Sequence, residues 1–325
     1  MRAVIITRPG GPEVLEIQDV ELPEPLGEQV RIRVRASGIN RADLLQRAGG
    51  YPAPPGSPQN IPGLEFAGEV DAIGPLVTMW KPGQRVMGLV GGGAQAEYVL
   101  SHEGLLVEIP QNLDFVQAAG VPEVFMTAHD ALFTQANLQI GERVLIHAVG
   151  SGVGTAALQL ANAAEATTFG TSRTPYKLQR AKELGLDEAI PDQNFAAEVL
   201  SLTHGEGVHV IIDFIGAPYI EQNLQALAMW GRLVFLATMG GFQAQVNLGI
   251  LMGKRISMRG VTMRTRTLEE KLAVTRRFAT DVLPLLASGD VQPVIEQVYP
   301  LEEISEAHRV MGENKNFGKL VVMIE

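Results

Sequence analysis

Arg143-Val144-Leu145-Ile146-His147-Ala148-Val149-Gly150-Ser151-Gly152-Val153-Gly154-Thr155-Ala156-Ala157-Leu158-Gln159-Leu160-Ala161 is the stretch on which the reading of this 325-residue chain turns. It is an apolar strand, a turn of small residues and a helix rich in alanine. A dinucleotide needs that order. The turn lets backbone approach a pyrophosphate, and the helix start offers free N–H groups and partial positive charge. Gly154, Ala156 and Ala157 are small enough to bring the helix close to its sheet. The pattern Gly-x-Gly-x-x-Gly does not fit literally. Started at Gly150 it ends on Thr155, and started at Val149 it lacks its first two glycines. The flanking strand and helix therefore carry the inference, and a plain βα turn of another α/β enzyme is the competing reading. The predicted cofactor contacts here are Gly150, Ser151, Gly152, Val153 and Gly154.

Moving outward, the next strand, Thr167 to Thr171, ends about 20 residues after the turn, where an NAD site usually carries Asp or Glu for the ribose 2′-hydroxyl. This chain has Ser172-Arg173-Thr174 and then Lys177, with no acid before Glu183. Two hydroxyls and two cations suit a 2′-phosphate, and Arg173 offers a forked donor. NADPH is the expected cofactor, held by Ser172, Arg173 and Lys177. The bland alternative makes both cations ordinary solvated charges.

Further out the texture divides the chain. Thirteen of its 19 prolines precede residue 126. Val30-Arg31-Ile32-Arg33-Val34-Arg35 alternates as a half-solvated antiparallel strand, Arg41 to Arg47 reads as a short helix, and Tyr51 to Gly56 reads as a rigid proline loop. From about residue 123, Val144–Ile146, Val210–Ile212 and Leu233–Leu236 lack polar alternation and alternate with amphipathic helices, as in a parallel sheet covered on both faces. Pro175 to Leu184 is one such helix, stopped by Gly185. Thr267-Leu268-Glu269-Glu270 is a capping box opening a long helix that should end near Gly289. Val294–Val298 and Leu320–Ile324 are strand-like again, around a helix from Leu301 to Met311. The expected fold is α/β: a Rossmann-type doubly wound parallel sheet over residues 123–289, and a mainly antiparallel domain formed by residues 1–122 and 290–325.

Composition narrows the function. The net charge of −10 and the absence of a Lys/Arg-rich run disfavour nucleic acid. No cysteine is present, which removes disulfides, thiol nucleophiles and thiolate-bound zinc. The six histidines form no spaced ligand cluster. No apolar run reaches the length of a membrane span, so a cytoplasmic protein is expected.

Gly38 to Tyr51, Pro62 to Val70, Gly91 to Tyr98, Ile146-His147 with Ser151 to Ala157, and Asn314 to Lys319 together resemble the medium-chain dehydrogenase/reductase superfamily. More narrowly they resemble the quinone oxidoreductases related to zeta-crystallin, in the stress-inducible, NADPH-dependent branch. The resemblance runs essentially end to end. It implies that the antiparallel domain is GroES-like and that no metal is used. Zinc-dependent relatives carry Cys where Asn40 stands and His where Leu64 stands, and they carry a four-cysteine lobe near residues 85 to 105.

The resemblance also implies roles. Tyr51 and Asn40 face the nicotinamide from the substrate side. Tyr51 can donate to a carbonyl oxygen that gains charge, and Asn40 can orient it. Packing of the proline loop and capping of the Arg41–Arg47 helix are the structural alternatives. Thr127 is expected beside the nicotinamide, with a hydroxyl bonded to its own helix as the alternative. Gly216, Met239 and Gly240 follow the fourth and fifth strands of the nucleotide sheet and should meet the cofactor. Val261 and Met263 resemble the carboxamide-contacting stretch, and Asn316 and Lys319 the C-terminal cofactor contacts. Asp213 and His147 read as structural. The expected reaction is hydride transfer from NADPH to a quinone, with reduction of conjugated carbonyls or enoyl thioesters as the alternative, and a non-enzymatic crystallin-like or RNA-binding role as the remote one. The edge strand Ile256 to Val261 should pair with its copy in a homodimer.

Overall fold

Six parallel strands organise the second unit of the chain, and their order fixes where a ligand can bind. The computed structural model describes residues 1–324. Contacts divide the chain into two units: Met1–Met126 with Met263–Glu325, and Thr127–Thr262.

In the second unit the sheet runs Glu188–Pro191, Thr167–Ser172, Arg143–Ile146, Val208–Asp213, Leu227–Phe235, Ser257–Gly260, with every pairing parallel. The chain starts in the middle, steps outward twice to one side, then returns to build the other. The order therefore reverses between Arg143–Ile146 and Val208–Asp213. Beyond the strand ends at such a reversal the connections splay apart and leave a crevice. Leu145, Phe169, Ile190, Phe195, Ile211 and Leu224 pack the sheet against its helices. The parallel strands are buried as their unbroken apolar runs require: Val144, Leu145, Ile146 and Val210, Ile211, Ile212 expose nothing.

In the first unit Gln29–Ile39 is the organising strand. Glu65–Ile73 lies on one side of it, and Tyr98–His102 and Lys319–Met323 share the other. Arg85–Leu89 and Leu106–Glu108 extend one end of the sheet, and Ile295–Pro300 closes the other as its one parallel pairing. The alternation read at residues 30–35 has its physical cause here. Val30, Ile32 and Val34 enter a core with Phe66, Val86 and Leu320, while Arg33 stays in solvent.

Three elements depart from the sequence reading. The helix opened by Thr267 is two helices, Leu268–Asp281 and Leu283–Ser288, because Pro284 sits where a continuous helix would need its N–H. Both belong to the first unit rather than to the nucleotide unit, and Asn112 Nδ2 donates to Leu286 O there. The strand expected over 256–261 is regular only at Ser257–Gly260.

Candidate active site

Arg143–Ile146 delivers the chain to the glycine turn of the second unit. Ala148 takes the left-handed conformation at φ 46°. Ser151 then caps the helix Gly152–Ala163, its Oγ accepting the Gly154 N–H at 3.1 Å. The Thr155 hydroxyl donates to Gly152 O. Gly154 has a steric reason to be glycine: a Cβ there would meet Ala148 O at 2.6 Å and Val149 O at 2.7 Å. The helix start is thus drawn onto the turn, with Gly150 buried and Ser151, Gly152 and Val153 partly open. A small-residue turn feeding a helix N-terminus at the sheet's reversal point fits the pyrophosphate of a dinucleotide.

At the end of the neighbouring strand Thr167–Ser172, the Ser172 hydroxyl accepts the Thr174 N–H at 3.1 Å. Arg173 is exposed and Lys177 half-buried on the helix Pro175–Glu183. The loops after the next two strands are tied together: Met239 N donates to Phe214 O and Gly240 N to Ile215 O. Gly216 sits at φ 82°, and a Cβ on it would meet Gly241 O at 2.9 Å, so this crossing of loops demands glycine. Asp213 accepts from Ile215 N, Gly216 N and Asn223 Nδ2, which makes it a loop-former. Val261 N is engaged by Phe235 O. His147 exposes nothing. It bonds Thr171 Oγ1 at 2.8 Å and Asn223 Oδ1 at 2.7 Å, and burial lowers its pKa, so it is a neutral core histidine. Thr127 is buried with a hydroxyl that meets no protein partner, an orphan that a ligand can satisfy.

The first unit carries a buried polar cluster. Lys319, 2% exposed, donates from one ammonium to Ile39 O at 2.8 Å, Asn40 Oδ1 at 2.7 Å and Glu65 Oε1 at 2.6 Å. An ammonium has three donors, so none remains for a cofactor. Lys319 serves by holding Asn40 and Glu65. Asn40 is likewise occupied, its Nδ2 donating to Glu65 Oε1 at 2.8 Å, while its N–H is capped by Asp43 Oδ2. The amide is fixed in place rather than left to swing toward a substrate. Burial pushes the Asp43 carboxyl up to about 6, against the N–H groups of Asn40 and Gly63 that favour its ionised form. Asn316 Nδ2 donates to Gly318 O, tightening the turn before Lys319.

Beside this cluster a pocket of about 470 Å³, part of it open to solvent, has apolar walls that include Leu64 and Met126, with Glu123, Arg264, Lys271 and Thr275 as polar members. Arg264 is 6% exposed. It donates to Gly91 O and Tyr51 O at 2.9 Å each and to Gln46 Oε1, and its guanidinium lies 5.0 Å from the centre of the Tyr51 ring. One side chain thus ties the proline loop, the loop at Gly91 and the Arg41–Arg47 helix together, and Tyr51 is stacked rather than loose. Burial raises the Tyr51 phenol above its usual range, so it stays a donor at neutral pH.

Two of these residues escape sequence reasoning. Glu123 follows Pro122 at a helix start, where an acid reads as an ordinary dipole-favoured surface group. Nothing around Arg264 in the sequence marks it as a clamp across three segments. Among the described residues no group of three or more His, Cys, Asp or Glu could hold a metal ion. Asn40 Oδ1 and Glu65 Oε1 already accept from the Lys319 cation and Glu65 Oε2 from the Glu123 N–H, so the residues present do not fit zinc.

Comparison with known proteins agrees with this layout. Residues 27–111 match the model of the alcohol dehydrogenase GroES-like domain, and residues 152–280 that of the zinc-binding dehydrogenase. A quinone oxidoreductase of Pseudomonas aeruginosa is 37% identical, over 97% of each chain. Among solved structures, an NAD-dependent alcohol dehydrogenase superposes with a TM-score of 0.90 at 32% identity, covering 100% of both chains. The CurK enoyl reductase superposes with a TM-score of 0.88 at 27% identity, covering 100% of this chain and 99% of its own. Full-length similarity, the six-strand parallel order and the glycine turn converge on one conclusion: this chain is an oxidoreductase of nicotinamide-cofactor type and belongs to the zeta-crystallin-like quinone oxidoreductases of the medium-chain dehydrogenase/reductase superfamily.

Proposed function

We propose that this protein reduces quinones with NADPH, without a metal, as a cytoplasmic homodimer. The observation that carries the reading is the first unit's pocket, which offers apolar walls with only a few polar groups among them. A quinone is a flat apolar ring with two carbonyl oxygens, and such a pocket suits it. When bound, the reduced nicotinamide supplies the hydride. The chain's own residues bind and orient. The turn Gly150–Gly154 and the helix it starts receive the pyrophosphate. Ser172, Arg173 and Lys177 receive the 2′-phosphate, since no carboxylate stands where a free 2′-hydroxyl would need one. Thr127 offers its orphan hydroxyl to the nicotinamide, with Val261 of the same unit beside it. Gly216, Met239 and Gly240 let the cofactor pass close to backbone. Tyr51, held under Arg264, donates to the substrate oxygen. Asn40, Asn316 and Lys319 keep that wall rigid.

Reduction of enoyl thioesters or conjugated ketones by the same site is the second reading, favoured by the likeness to the CurK enoyl reductase. Oxidation of NADPH with 1,2-naphthoquinone, a benzoquinone and crotonyl-CoA separates the two. Turnover of the quinones is expected, and turnover of crotonyl-CoA alone transfers the assignment to the second reading. A parallel titration should give NADPH the tighter binding. Tighter NADH binding would overturn the role given to Arg173 and Lys177. For the dimer, Ser257–Gly260 is the last strand of its sheet and is paired on one side only among the described residues. Light scattering that gives the mass of one chain would exclude it. Among the described residues no helix is long and apolar enough to cross a membrane.

A further inference from the structure

Glu123 is the one carboxyl group in the lining of the first unit's pocket. Its helix, Pro122–His129, begins against the polar cluster, and its backbone N–H donates to Glu65 Oε2 at 2.7 Å. That bond anchors the residue by its main chain and leaves the side chain to the pocket. Charged groups face it from every neighbouring element: Glu65 on one strand, Asp43 on the Arg41–Arg47 helix, Lys319 on another strand, Arg264 after Met263, and Lys271 across the pocket. The two nearest classes of cation are committed elsewhere. Lys319 uses its three donors on Ile39, Asn40 and Glu65, and Arg264 holds Gly91, Tyr51 and Gln46. Among the described residues no hydrogen bond reaches the Glu123 carboxylate.

We infer that Glu123 is a catalytic acid of this site, giving a proton to the substrate oxygen that gains charge as hydride is added. The inference rests on the reductase reading above. In the step the hydride forms a C–H bond at the ring carbon β to one carbonyl, the ring C=C pair shifts toward that carbonyl, and the carbonyl π pair moves onto its oxygen. The Glu123 O–H bond breaks and a new O–H bond forms on that oxygen. One hydrogen of the reduced ring carbon then leaves as a proton to water while the second carbonyl oxygen gains a proton, so quinone, hydride and proton give hydroquinone. The carboxylate left behind faces Arg264 and Lys271 and regains its proton from water. For a conjugated ketone the same proton goes to the enolate.

Burial, with Glu65 as a neighbouring like charge, pushes the Glu123 carboxyl up to about 7, although its place in the first turn of a helix favours the ionised form. An acid near neutrality is well matched to proton transfer at physiological pH, where such groups contribute roughly 10²- to 10⁴-fold.

The test uses Glu123→Gln, which keeps shape and removes the acid, and Glu123→Asp, which keeps the acid and shifts it. Wild-type kcat with a conjugated ketone should fall above about pH 7, in line with the Glu123 value. Glu123→Gln should lose about 100-fold in kcat and lose that limb of the profile, with KM little changed. Glu123→Asp should recover part of the rate with a displaced limb. In the cofactor-free protein, infrared difference spectra should show a protonated-carboxyl band that titrates near pH 7 in the wild type and is missing from Glu123→Gln. A Glu123→Gln enzyme with wild-type kcat and pH profile overturns the inference. So does the same carboxyl band persisting in that variant. If Glu123→Gln does not fold, the displaced limb of Glu123→Asp decides, and an unmoved limb counts against Glu123. A wild type that turns over neither quinone nor ketone removes the reductase reading itself, while the infrared band still reports on Glu123.

Discussion

The Lys319 ammonium lies 2.6 Å from Glu65 Oε1 with both side chains out of solvent, joining the end of the chain to the strand that begins at residue 65. Two buried charges are tolerable here because each is surrounded: Lys319 by three oxygens, Glu65 by donors from Lys319, Asn40 and Glu123.

Removing one partner strands the other. Lys319→Met should cost about 3–5 kcal/mol of stability. The double change Lys319→Met, Glu65→Gln should cost clearly less than the sum of the single changes. Chemical denaturation of the four proteins checks this, and additive losses would show that the pair is not coupled.

Gly154 is fixed by backbone oxygens rather than by a flexible side chain. Gly154→Ala must move Ala148 O or Val149 O, which lie 2.6 and 2.7 Å from the new Cβ. The helix start then shifts off the turn. A loss of about 1–3 kcal/mol is expected, with nicotinamide dinucleotide binding at least tenfold weaker by fluorescence titration and little change in far-ultraviolet dichroism.

Arg264→Lys keeps the charge and loses the fork. Lysine cannot reproduce the simultaneous contacts to Gly91 O, Tyr51 O and Gln46 Oε1, nor the stacking on Tyr51. The pocket wall should loosen. KM for quinone should rise by about tenfold while NADPH affinity stays within twofold, because the glycine turn is in the other unit.

His308 sets part of the acid limit of stability. It exposes nothing, its Nδ1 lies 3.2 Å from Arg47 Nη1, and burial together with that cation pushes its pKa down to about 3. The unfolded chain protonates this residue near 6.5 and the folded chain only near 3. Between those values the unfolded state binds the extra proton, so stability falls as pH drops from about 6.5 toward 3, by at most about 1.4 kcal/mol per pH unit from this group. His308→Gln should flatten that decline in denaturation measured at pH 4 to 7. An unchanged slope would assign the acid limit to other groups.

Much of the fold was legible because it is written in local periodicity. Unbroken apolar runs marked three of the parallel strands, alternation at residues 30–35 marked Gln29–Ile39, and Asn40 was legible as a cap of the Arg41–Arg47 helix, while its reciprocal partner Asp43 was not. The break at Pro284 was available in the sequence, and the capping box at Thr267 masked it. The site was less legible. Lys319 as a direct cofactor contact followed from the family resemblance, and in the structure its ammonium is bonded to Ile39, Asn40 and Glu65, residues more than 250 positions away.

The sequence by itself determined the strand–turn–helix around Gly150, the lack of an acid after the second strand and the absence of cysteine, because each depends on residues adjacent along the chain. Only the tertiary structure decided which side chains have partners. Whether a carboxyl has donors on both oxygens, as Glu65 has, or is left unbonded in a pocket, as Glu123 is, depends on groups supplied from distant segments. Nothing local to Glu123 encodes that Lys319 and Arg264 are engaged elsewhere, or that burial beside Glu65 raises its pKa.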